Sequence, residues 1–177
     1  MGEIIDRIAV VIDNDFIITL SDIRRERTIQ KALGNNPGDD ESLIEALIER
    51  HLVEAEIALF REIDIDEGAV NERLRGIQTP EGLSAADLRD AVRAELRRYE
   101  FSVQRFRPFI RVSDDELRKY FEDVAVPALR KNGKPIPTVE QGMLDVRPNV
   151  IAEKMNMEVS NWLADLRKRS TIEKILK

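Results

Sequence analysis

His51 is the single histidine among these 177 residues, and there is no cysteine. A catalytic histidine needs a reacting group within reach and a third group to orient it. The acids nearest His51 in sequence, Glu49 and Glu54, fall on a helical pattern as surface residues, so a structural or solvated role is expected. The absence of cysteine removes disulfides, thiolate catalysis and cysteine metal sites. One histidine with scattered carboxylates is a poor metal set. The acidic pairs Asp39-Asp40 and Asp114-Asp115 precede helical patterns, where the helix dipole favours negative charge. No Asp-x-Asp-x-Asp-Gly loop for calcium is present. Gly68, Gly76 and Gly82 are too scattered for a phosphate-binding loop. No catalytic residue, cofactor or metal is expected.

The chemistry that remains is apolar contact. Leu88, Val92, Leu96, Tyr99, Val103 and Phe106 form one helical stripe, and Phe101 lies about 200° round from Tyr99 at ~100° per residue. Phe101 therefore faces a neighbouring helix, a second subunit or an unfolded client. Phe106 and Phe109 flank Pro108, where that helix should end. Met143, Met155 and Met157 are flexible and polarisable, which suits variable apolar partners. Met155 fits a core stripe better, and Trp162 reads as a packing anchor between the terminal segments. Phe101, Phe106, Phe109 and Met143 are the candidate peptide-binding residues.

Composition narrows the classes further. Hydrophobic residues make up 42% and charged residues 35%, which fits a folded core under wide solvated helix faces. The net charge is −6, against the basic excess expected of a nucleic-acid binder. The basic runs Arg24-Arg25, Arg97-Arg98 and Arg167-Lys168-Arg169 read as solvated helix faces. No apolar run reaches the roughly 18 residues of a membrane span.

The elements that position these residues are mostly helices. Ile and Val over 4–12, then Phe16-Ile17-Ile18 after Asp13-Asn14-Asp15, predict a β-hairpin. Thr19 or Ser21 caps a helix to about residue 33, which Gly34 stops. Leu43, Ile44, Leu47, Ile48, Leu52, Ala55 and Leu59 predict a helix over about 41–61. Asp64 or Asp66 caps a shorter helix near 67–76. Ser84 opens the helix of the Leu88–Phe106 stripe, and Ser113 with Glu116 forms a capping box for the next. The Pro- and Gly-bearing stretch 131–137 reads as a linker. Thr138 starts another helix, which Pro148 should break or bend. Ile151, Met155, Val159, Trp162 and Leu166 predict a last long helix, and residues 171–176 a terminal strand. A hairpin alone is marginal, so the terminal strand is its natural partner. The fold class is mainly α, a helical domain with a small N-terminal β-hairpin paired with a C-terminal strand.

Four stretches resemble the SurA-like family of periplasmic chaperones. They are the hairpin and cap from Ile5 to Ile23, the run Leu43-Ile44-Glu45-Ala46-Leu47-Ile48 through Glu56, the segment Phe109-Ile110-Arg111-Val112-Ser113-Asp114-Asp115-Glu116 through Glu122, and residues 138–176. In order and spacing they are similar to the core of that family over a little over half the chain. Asp15 stands in the hairpin turn where a glycine is more usual. Residues 123–137 stand where active members carry a parvulin prolyl isomerase domain. The resemblance implies a single domain over 1–177, with an N-terminal segment 1–122, a linker 123–137 and C-terminal helices and strand over 138–177. It implies a non-enzymatic, ATP-independent holdase for unfolded outer-membrane or secreted proteins in the periplasm, with a signal peptide already removed. The alternatives are a dimeric structural or assembly module, with exchanged terminal segments, and a divergent prolyl isomerase.

Overall fold

The computed structural model describes residues 6–60 and 63–175. The chain is mainly helical, with a small three-stranded antiparallel sheet. It divides into two compact units, residues 1–101 with 163–177, and residues 102–162. The second unit lies inside the sequence of the first.

In the first unit, β1 (Ile8–Ile12) and β2 (Phe16–Thr19) form the expected hairpin. Residues 4 and 5 of that expectation lie outside the described residues. Asp13 and Asn14 take positive φ of 52° and 58°, and Asp15 N–H donates to the Ile12 carbonyl at 3.1 Å. That is the type I′ pattern, which matches strand twist and favours Asn and Asp. Asp15 is outside the left-handed pair, so its position does not require a glycine. β3 (Ile172–Lys174) pairs with the other side of β1, giving the order β2-β1-β3. Leu176, at the end of the expected strand, lies outside the described residues. Val10 and Ile12 on the central strand are fully buried.

Thr19 caps α1 (Leu20–Ala32) in a reciprocal box with Asp22. Gly34, at φ 80°, ends it. Asn35 N–H reaches the Gln30 carbonyl and Gly34 N–H the Lys31 carbonyl, a Schellman closure. Asp39 caps α2 (Asp40–Ile57). This helix stops short of the expected residue 61: Leu59 and Phe60 N–H bond back three residues, tightening the last turn. Residue 61 itself lies outside the described residues. Asp66 caps α3 (Glu67–Arg73). Ile29, Leu33, Val70, Leu88 and Val92 make one core cluster here.

α4 (Ala85–Phe106) begins at Ser84, as expected, and contributes residues to both units. Its inner face does not follow a single stripe. Leu88, Val92 and Phe101 are buried, whereas Tyr99 is 67% exposed. Pro108 falls in a 3₁₀ turn, Arg107–Phe109, that ends the helix.

In the second unit, Ser113 and Glu116 form the capping box of α5 (Asp114–Tyr120). A π-helical turn over Phe121–Ala125 leads into α6 (Val126–Lys131). Residues 123–131 are therefore helical, and the irregular connection spans only 132–138. Pro127 permits this because it sits in the first turn of α6, where a missing N–H is tolerated. The preceding turn is widened, and Val126 N–H bonds to the Phe121 carbonyl five residues back.

α7 (Val139–Arg169) is one helix of 31 residues with Pro148 inside it. Of the two expected outcomes, a break or a bend, the break does not occur. An interior proline costs about 3 kcal/mol, but Val146 and Val150 on either side are buried and hold the helix in register. No helix among the described residues is long and apolar enough to cross a membrane.

The last turn of α7 and β3 are sealed onto α2 by charge. Arg167 meets Glu45 at 2.5 Å, Arg169 approaches Glu56 at 3.6 Å, and Lys174 reaches both Glu41 and Glu45. Partial burial would raise the Glu45 pKa, but Arg167 and Lys174 more than reverse this and leave it lowered. Asp13 completes the seal. Its N–H donates to the Thr171 carbonyl at 2.8 Å, and its Oδ1 accepts the Thr171 N–H at 2.7 Å.

Candidate functional site

The expected peptide-binding residues fall in different places. Phe101 is a core residue of the first unit, 4% exposed, with its ring 5.3 Å from that of Phe60 in an edge contact. This corrects the expectation that it offers a client surface: a ring so enclosed is already out of water. In the second unit Phe106 is half-buried, 5.6 Å from Trp162, with the Arg105 guanidinium 5.2 Å from the Trp162 ring. Trp162 is thus a packing residue, as its stripe implied, with Phe106 as its neighbour. Phe109 is 80% exposed on the 3₁₀ turn. Met143 is half-buried against the cluster of Leu117, Phe121, Val146 and Val150. None of these four residues lines the groove described next.

That groove is built where the helices of the second unit diverge. One wall carries Phe121, Ala125, Ala128 and Leu129 from the π turn and α6, and Pro135 and Pro137 come from the connection. Gly142, Asp145, Val146 and Asn149 of α7 form the other wall. The cleft measures about 490 Å³, within the range of small ligand sites. Its lining is apolar apart from Asp145 and Asn149. Asp145 Oδ1 accepts a hydrogen bond from Gln141 Nε2 at 2.7 Å, one helical turn away.

Two local features create the groove. The π turn rotates the following residues relative to a regular helix, so Ala125, Ala128 and Leu129 come to one side; such turns recur at functional sites. The second is Gly142. A Cβ there would lie 2.2 Å from Phe121 Cε2, so the ring packs directly on the α7 backbone. A glycine inside a helix costs about 1 kcal/mol relative to alanine, and the close approach of Phe121 accounts for its presence. Gly142→Ala is therefore expected to destabilise the protein by about 1–2 kcal/mol, because the overpacking strain exceeds the gain in helix propensity. Urea unfolding of the two proteins measures it, and a stabilised variant would refute the contact.

Charge fixes α7 beside α5. Lys154 Nζ lies 2.5 Å from Glu116 Oε1 and donates to the Arg111 carbonyl at 2.7 Å. The Lys154 hydrogen bond, with those from Ser113, holds the Glu116 carboxyl down at about 2. Tyr120 is shifted the other way: desolvation raises its pKa, and its hydrogen bond to Glu153 adds to the rise.

His51 is placed as a packing residue. Its ring stacks on Phe16 with centroids 3.7 Å apart and planes 13° from parallel. Burial lowers its pKa, against the opposing pull of Asp13 and Asp15.

The groove residues were missed in the sequence because they come from separate segments that no local pattern brings together. The one available signal was Gly142 within a helical pattern. The chain matches no protein-family model, and no curated protein matches it.

Proposed function

We propose that this chain is an ATP-independent holdase of SurA-like type that reversibly buries apolar segments of unfolded polypeptides. The observation that carries this reading is the open apolar groove over Phe121, Ala125, Leu129, Pro135, Pro137 and Val146. Such a lining accepts aliphatic and aromatic side chains without demanding one sequence. Buried apolar area supplies affinity at ~25 cal/mol per Å² before entropy losses. Asn149 offers both a donor and an acceptor to the backbone of an extended client. The ordered resemblance of four segments to the SurA core supplies the client class, unfolded outer-membrane and secreted proteins, and the periplasm as the compartment. The activity is binding, with no bond made or broken.

The test is light scattering of a denatured outer-membrane β-barrel protein diluted into buffer with this protein and without ATP. Suppression of aggregation near one-to-one is expected. Ala128→Glu sets a charge on the groove wall at an exposed position and should abolish suppression while the fold is kept. Failure of the wild-type protein to suppress aggregation, or full activity of the variant, would defeat the reading.

A further inference from the structure

Asp145 is the one charged residue lining the groove of the second unit among the described residues. It stands on α7 with Gly142, Val146 and Asn149, at the three- and four-residue steps that share a helix face. Its Oδ1 accepts the Gln141 Nε2 hydrogen bond at 2.7 Å, which orients the carboxylate. It makes no ion pair among the described residues. The nearby cations of α7 are engaged with α5 instead: Arg147 approaches Asp114 at 4.0 Å, and Lys154 holds Glu116. Arg130, Lys131 and Lys134 border the opposite wall, but none of them lines the groove.

An oriented carboxylate beside an apolar cleft discriminates between occupants. A wholly apolar segment laid over it removes water from the charge and returns nothing. An acid on the segment adds repulsion, so it is selected against. A cation restores the lost hydration with a charged hydrogen bond, and the covering segment strengthens that bond by excluding solvent. Asn149, one turn further along the same face, has no side-chain partner among the described residues and can accept from the same cation.

We propose that the groove selects apolar segments flanked by lysine or arginine, with the client's cation on Asp145. Apolar side chains of the segment occupy the cleft over Phe121, Leu129 and Val146. Asp145 is thus a specificity-determining residue. This selectivity rests on the holdase reading of the same groove, and it sorts clients by charge where the apolar walls do not.

Fluorescence anisotropy of labelled peptides with the whole protein tests it. Three peptides share one apolar sequence, carry Lys, Gln or Glu at both flanks, and have blocked termini, so that only side-chain charge differs. The Lys peptide should bind about threefold to tenfold more tightly than the Gln peptide, between the values for an exposed and a covered ion pair, and the Glu peptide should bind most weakly. Asp145→Asn keeps the shape and can still accept the Gln141 bond. It should bring the Lys and Gln peptides to one affinity and leave the Gln peptide no weaker. Asp145→Lys should place the Glu peptide above the Lys peptide. If the Gln peptide binds and the Lys peptide gains nothing, or if Asp145→Asn keeps the margin, the charge selection is wrong and the holdase reading stands. If none of the three binds, the holdase reading falls and the selection falls with it.

Discussion

Glu26→Ala is expected to lower the unfolding free energy by about 3 kcal/mol, the low end of the range for breaking a buried ion pair. Glu26 on α1 is 2% exposed. Its carboxylate accepts hydrogen bonds from both terminal nitrogens of Arg50 on α2 and from Gln30 Nε2 at 2.7 Å. Removal of the acid leaves Arg50 in a site shaped for a pair. The low end applies because the Arg50 side chain keeps 30% exposure and can recover some hydration. The same pair predicts a pH dependence. Burial alone would raise the Glu26 pKa, but the hydrogen bonds and charge of Arg50 outweigh it, so the folded value lies below the ordinary 4.5. The stabilisation is therefore complete above pH ~4.5 and disappears as pH falls through the lowered folded value. Glu26→Gln should flatten this acid limb of the stability curve. Urea midpoints from pH 7 to pH 3 give the comparison, and parallel curves for the two proteins would disprove the assignment.

Phe121→Ala should cost about 3–5 kcal/mol within the second unit, the usual range for truncating a buried aromatic ring. Phe121 is 3% exposed and packs with Leu117, Val146 and Val150. It also fills the space over Gly142 and lines the groove. The loss should be local. Hydrogen exchange should show early opening of amides at Leu117, Val146 and Val150, whereas Ile48 and Val92 of the first unit keep their protection. Uniform loss of protection would mean that the two compact bodies unfold as one.

The features legible in the sequence are those decided within a few residues. The Asp13-Asn14 turn, the Thr19 and Ser113 capping boxes and the stop at Gly34 each depend on local backbone chemistry, and each forms as read. The pairing of the terminal strand with the hairpin was legible because a two-stranded hairpin needs a third partner. The failures have a common cause in long-range packing. A single stripe on α4 assumes one neighbour along its length, but α4 contributes to two units, and Phe101 is buried where Tyr99 is not. Arg97-Arg98 read as a solvated face, yet both hold Glu54 on α2. Pro148 reads as a break or a bend, yet α7 continues through it, because the burial of Val146 and Val150 on either side lies outside any local rule. The groove depends on the Phe121–Gly142 approach across two helices, which no single segment encodes.

The clasp between Asp13 and Thr171 joins residues 158 positions apart, and this sets an order of events during synthesis. β1 leaves the ribosome early with only β2 to pair with. Its second neighbour, β3, arrives after the whole of the second unit has been made. Contacts of such long sequence separation form late, because loop closure precedes any gain from pairing. Residues 102–162 are contiguous and are synthesised before β3 appears. Until then the outer edge of β1 is an unpaired strand, open to other extended chains. A stalled or shortened nascent chain would thus display the same sticky edge that the finished protein keeps covered.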